Sequence, residues 1–79
     1  MNLELYNQIK SLFERNLDKL YTRNDLVEMF GGSYRETTYA LRSLISECAI
    51  CRIVGFGATR YTHIKNKDVI ADAKFRAFM

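Results

Sequence analysis

The chain has 79 residues, 48% of them hydrophobic and 27% charged, with a net charge of +3, no proline and two cysteines. That length suits one small core with little room for a catalytic cleft, the mix of apolar and charged residues is that of a globular domain, and the lack of proline and of low-complexity runs argues against a disordered tail. No run approaches the roughly 18 to 20 apolar residues needed to cross a bilayer, and the opening MNLELYNQIK lacks the basic-then-apolar order of a secretory signal, so a cytoplasmic location is expected.

Apolar residues at Leu5, Tyr6, Ile9, Leu12 and Phe13 repeat at the spacing of one helical stripe and predict a first helix over about 3–16. NLDKLY breaks the period as a loop, with Leu20–Tyr21 as a candidate very short strand. Thr22 is a good N-cap, and Asp25 three residues on is a second-choice partner for a capping box. The helix it opens, about 23–30, buries Leu26, Val27 and Phe30, and Gly31–Gly32 end it because glycine enters the left-handed region at least steric cost. Ser33 then caps a third helix over about 34–48, with Glu36 completing S-x-x-E.

At about 100° per residue, Thr37, Leu41, Leu44, Ile45 and Cys48 share the inward side of that third helix. Arg35, Tyr39, Arg42, Ser43 and Ser46 take the opposite side, Thr38 lies on its flank, and Tyr34 sits at an angle that suits either side. Glu36 and Glu47 fall along one edge.

After Ala49 the period changes to that of strands: ICRIV and RYTHI flank the glycine-bearing GFGAT, which predicts a hairpin over about 50–64. Both faces of each strand carry apolar residues, so the buried face is left open. Between Glu47 and Asp68 there is no acid, while Arg52, Arg60, Lys65 and Lys67 fall in that gap, a local basic field that suits a polyanionic partner. Asp68 is the expected cap of a last helix over about 68–78. Val69, Ile70, Ala73 and Ala77 form one of its stripes, and Ala71, Phe75 and Phe78 form a second without an obvious home.

Cys48 and Cys51 make a C-x-x-C, but a structural zinc site wants four ligands and only His63 offers another soft donor, so no metal is expected and the thiols read as small reduced hydrophobes. His63 has no visible partner for proton transfer, and Asp25 and Glu28 read as helix charges. With no nucleophile beside a base and no phosphate loop, neither an enzyme nor a cofactor is expected.

The order helix, short strand, helix, glycine turn, helix, hairpin resembles the winged helix-turn-helix family over Leu20 to Ile64, most closely in FGGSYRETTYALRSL, with Gly31 at the turn, Ser33 as cap, Thr37 facing inward, and Ala40, Leu41 and Leu44 at the core. Among small members it is similar to the fimbrial-operon regulators. The fold class implied is mainly α with a small β-hairpin: a three-helix core, a wing, and an added C-terminal helix in one domain. One departure is recorded, because the family commonly ends the recognition helix on glycine and this chain has Cys48–Ala49. Either no left-handed residue follows the helix, or one of these two adopts that conformation at a cost of about 1 kcal/mol.

The resemblance implies that the third helix enters the major groove of double-stranded DNA while the wing lies on the adjacent backbone or in the minor groove. On that reading Arg35 or Arg42 reads a guanine edge, and Thr38 and Tyr39 touch a thymine methyl or a phosphate. Ser33 and Tyr34 sit where the first amides of the helix favour an anion. Arg52, Arg60 and Lys65 become phosphate contacts, and Phe56 at the wing tip a wedge or backbone contact. The function expected is a sequence-specific transcriptional regulator. The alternatives are a DNA-bending factor of the excisionase kind and a winged-helix module for protein contacts. The stripe Ala71, Phe75 and Phe78 suits either a partner protein or a homodimer.

Overall fold

In a computed structural model, which describes residues 2–54 and 57–66, the elements are α1 (Leu3–Arg15), β1 (Tyr21–Thr22), α2 (Arg23–Phe30), α3 (Tyr34–Ser46), β2 (Ile50–Ile53) and β3 (Arg60–His63). The predicted C-terminal helix, with Ala71, Phe75 and Phe78, and Phe56 at the hairpin tip lie outside the described residues. Among the described residues, three helices and one three-stranded antiparallel sheet, in the order β1-β3-β2, make a small mixed α/β unit. None of the described helices is long and apolar enough to cross a membrane.

Each helix starts where a side chain meets the first orphaned amides. Asn2 Oδ1 accepts from the Leu5 N–H at 3.1 Å to open α1. The Thr22–Asp25 capping box is complete, with Thr22 Oγ1 accepting from the Asp25 N–H at 3.1 Å and Asp25 Oδ2 accepting from the Thr22 N–H at 2.9 Å. The S-x-x-E box expected at α3 is only half made. Ser33 Oγ accepts from the Glu36 N–H at 3.0 Å, but the Glu36 carboxylate accepts from Asn2 Nδ2 at 2.9 Å instead of returning to Ser33. A longer-range partner on the α1 cap has won the glutamate.

The turn between α2 and α3 is tight for two separate reasons. Gly31 is left-handed at φ 71° and its N–H closes on the Val27 carbonyl at 2.8 Å, a conformation that side chains resist. Gly32 lies close against α1, since a Cβ there would come within 2.8 Å of Leu5 Cδ2 and that side chain would have to shift. The turn is thereby seated directly on α1.

The far end of α3 corrects the sequence reading, for the helix stops at Ser46 rather than 48. Cys48 is left-handed at φ 61°, with its N–H on the Ile45 carbonyl at 3.0 Å and the Ala49 N–H on the Leu44 carbonyl at 2.9 Å. These two bonds are the Schellman arrangement, usually closed by glycine. Cys48 is consequently exposed and not part of the inward face. Cys48→Gly is expected to stabilise the fold by about 1 kcal/mol, because it relieves the Cβ at positive φ and removes no packing. Urea unfolding measures the gain, and Cys48→Ala, which keeps the Cβ, is expected to show none of it.

The core joins Leu5, Ile9, Leu12 and Phe13 of α1, Leu26 of α2, Ala40, Leu41 and Leu44 of α3, and Ile50 and Tyr61 of the sheet. Phe30 and Ile45, expected inside, are half-buried against it, and Val27 is half-buried as well. Phe13 meets Tyr21 edge-on at 5.5 Å between ring centroids, which anchors β1 to α1. Thr37 tolerates full burial because its hydroxyl donates to the Ser33 carbonyl at 2.9 Å.

Register answers the question of faces. Tyr21 and Arg52 stand opposite Tyr61, and Ile50 opposite His63, so these side chains share the face toward the helices. Thr22 and Ile53 opposite Arg60, and Cys51 opposite Thr62, share the other. Thr62 is fully buried as well; its hydroxyl donates to the Lys19 carbonyl and accepts from Asn66 Nδ2, both at 2.9 Å, tying the loop before β1 to the turn after β3.

The first and third helices are also joined at the surface, where the Tyr6 hydroxyl donates to the Glu47 carboxylate at 2.6 Å. That hydrogen bond, followed by burial and the Glu47 and Glu14 charges, raises the Tyr6 phenol above its ordinary value of 10.0. A phenol whose folded value is raised contributes stability that is fully present below the ordinary value and is lost as pH climbs through the raised one. Phenolate absorbance during an alkaline titration is expected to place Tyr6 above its ordinary value, and Glu47→Gln to bring it downward.

Candidate functional site

The 13 residues of α3 span about 20 Å at the usual helical rise, and Arg35 and Arg42, seven residues apart, fall almost in line about 10 Å apart along its axis. Both are exposed, and Tyr39 between them is 43% exposed. Leucines at 41 and 44 and the buried Thr37 and Ala40 fix the rotation of the helix, so this face is held outward by the core beneath it.

The individual side chains are not equally free. Arg35 Nε donates to Tyr39 Oη at 3.1 Å, and its guanidinium lies 5.5 Å from the same ring, so this arginine is laid along the helix toward its neighbour one turn on. No acid pairs with Arg35 or Arg42 among the described residues. The Thr38 hydroxyl donates to the Tyr34 carbonyl at 2.8 Å and is thereby spent within the helix. Ser33, also exposed, spends its oxygen on the helix cap but keeps its O–H as a donor.

Glu36 of α3 and Glu47 at its C-cap are both drawn to the α1 side, Glu36 by Asn2 and Glu47 by Tyr6. The open face is left cationic and hydroxylic, and it combines paired-donor guanidiniums, a phenol and an unspent hydroxyl. Chemically this set can fork onto a carbonyl-and-nitrogen edge or onto phosphate oxygens.

On the hairpin, register separates two of the expected phosphate contacts. Arg52 is exposed on the face shared with Tyr61, while the half-buried Arg60 belongs to the opposite face. Lys65 is exposed on the turn after β3, and its backbone N–H donates to His63 Nδ1 at 3.0 Å, which requires the lone pair at that nitrogen and assigns a strand-capping role to the nearly buried histidine. Cys51 is half-buried in β2, and among the described residues no group of three or more His, Cys, Asp or Glu could hold a metal ion.

Tyr34, which suited either side from its helical angle, is 55% exposed. The Arg23 guanidinium lies over its ring at 4.6 Å, and the same guanidinium reaches Tyr61 Oη at 3.3 Å. Arg23 was missed by pattern reading, yet it carried a signal, for a cation in the first turn of a helix opposes the helix dipole. A residue that breaks a local rule commonly answers to something outside its own element. No family model, curated protein or solved structure matches this chain.

Proposed function

We propose that the chain is a sequence-specific double-stranded DNA-binding regulator of transcription with a winged helix-turn-helix layout, in which α3 is the recognition helix and the β2–β3 hairpin is the wing. The observation that carries this reading is the open α3 face, with Arg35, Tyr39 and Arg42 aligned above a packed leucine side and free of acidic partners among the described residues. A helix about 10 to 12 Å across fits a major groove about 12 Å wide. The separation of about 10 Å between the two arginines corresponds to about three base-pair steps. Arg35 and Arg42 then read base edges, the Thr38 methyl and the Tyr39 ring contact a thymine methyl or the sugar edge, and Ser33 donates to a phosphate. Arg52, Arg60 and Lys65 supply affinity through the backbone, Arg52 and Arg60 from opposite faces of the hairpin.

Binding to a mixed-sequence duplex measured over a series of salt concentrations tests the reading. Each neutralised phosphate should contribute about −0.9 to the slope of log affinity against log salt, so a steep decline is expected. An affinity indifferent to salt, or no binding at low salt, would refute it.

A further inference from the structure

A second anionic contact, separate from the α3 face, is suggested by the recess of about 220 Å³ between the start of α2, the start of α3 and the entry to β3. Its walls carry Arg23, Asn24, Tyr34, Thr59 and Tyr61, with no acid among them. Within it Arg23 is immobilised from two directions, by the Tyr34 ring at 4.6 Å and the Tyr61 hydroxyl at 3.3 Å. Its donors are nevertheless largely unspent. Nε is buried without an acceptor, and no carboxylate pairs with the guanidinium among the described residues, since the nearby Asp25 carboxylate is taken by the Thr22 N–H at 2.9 Å. Nη2 is partly spent on Tyr61 Oη, which leaves Nη1 and the second Nη2 hydrogen as the donors for an oxyanion. A cation stacked, oriented and short of acceptors, in a recess otherwise lined by hydroxyl and amide groups, is built for an oxyanion.

We infer that this recess seats a phosphate oxygen of the DNA strand bordering the groove that α3 occupies, with Arg23 as its cationic floor. The seat rests on the reading of α3 as the recognition helix, because Tyr34 is both the first residue of α3 and a wall of the recess. One contact at this point sets the register of the helix head on the duplex without selecting a base.

Two measurements on the full chain separate this inference from the broader one. In the first, duplex affinity is followed against salt for the parent, Arg23→Gln and Arg23→Lys, each checked for an unchanged folded spectrum. Arg23→Gln is expected to weaken all duplexes alike by about tenfold and to reduce the salt slope by about 0.9, while Arg23→Lys, which keeps the charge, holds the parental slope. A role confined to packing on Tyr34 would weaken both variants and leave both slopes unchanged, and that result overturns the seat. In the second, the 15N-labelled protein is titrated with inorganic phosphate against sodium chloride at equal ionic strength. Saturable shifts are expected at Arg23 Nε–H and at the Asn24 and Thr59 amides, with the amide shifts gone in Arg23→Gln. Shifts with phosphate but an unchanged slope would mean a seat for free phosphate and would overturn the phosphodiester assignment. If the parent binds no duplex, the α3 reading fails on its own, and the phosphate titration decides the recess: silence there overturns it.

Discussion

Replacing Arg35 and Arg42 together by alanine is expected to cost about 2 to 6 kcal/mol of binding to the preferred duplex, a loss of roughly 30-fold to 10⁴-fold, because each guanidinium forking onto a base edge contributes about 1 to 3 kcal/mol of discrimination. The two effects should add, since the side chains stand about 10 Å apart along α3 and share no partner. Thermal stability should stay within about 0.5 kcal/mol of the parent, because both residues are exposed and neither is paired with an acid among the described residues. The two arginines should nevertheless differ. Arg35 is pre-oriented by the Tyr39 hydroxyl, so Tyr39→Phe, which keeps the ring and removes the acceptor, should weaken binding through Arg35 alone. Titration of labelled duplex with the parent, the single variants and the double variant measures all of this; equal affinities would show that the α3 face takes no part.

The largest effect on stability is expected at Phe13. It is 1% exposed and packs edge-on against Tyr21 at 5.5 Å, so Phe13→Ala leaves a cavity under the sheet and loses the ring contact that holds the two-residue strand β1 in place. Truncations of this kind cost about 3 to 5 kcal/mol. A domain of this length has in total about 4 to 12 kcal/mol, so the variant should lose a large share of its stability and, at the lower end of that range, unfold. Phe13→Leu, which keeps most of the volume, should cost about 1.5 kcal/mol or less and retain the fold. Urea unfolding followed by circular dichroism compares the three chains. A Phe13→Ala midpoint near that of the parent would mean that α1 and β1 are not held by this contact.

What could be read in the residues alone was local. The span of α2, its Thr22 cap, the glycine turn at Gly31 and the inward side of α3 follow from periodicity and capping within one or two turns of chain. The open Arg35–Tyr39–Arg42 face followed from the same period. The misses came from competition over distance. Glu36 left its capping box for Asn2, 34 residues away, and Glu47 was bound by Tyr6, 41 residues away; neither choice is visible in a short window. At the end of α3 one of the two alternatives held, with Cys48 in a glycine's conformation under the Schellman bonds, but its place on the inward side did not. The faces of the hairpin could not be told apart because Ile50 and Ile53 lie on opposite sides of β2 and both are buried. Arg23 escaped notice because its partners, Tyr34 and Tyr61, come together only when the heads of α2 and α3 meet β3.

The most direct measurement is selection of bound sequences by the full chain from a pool of random duplexes, followed by the same selection with Arg35→Ala and Arg42→Ala. One enriched motif is expected, with a position losing its preference in each variant and the two positions about three base pairs apart. A pool that returns unenriched, or a motif untouched by either substitution, would contradict sequence reading by α3.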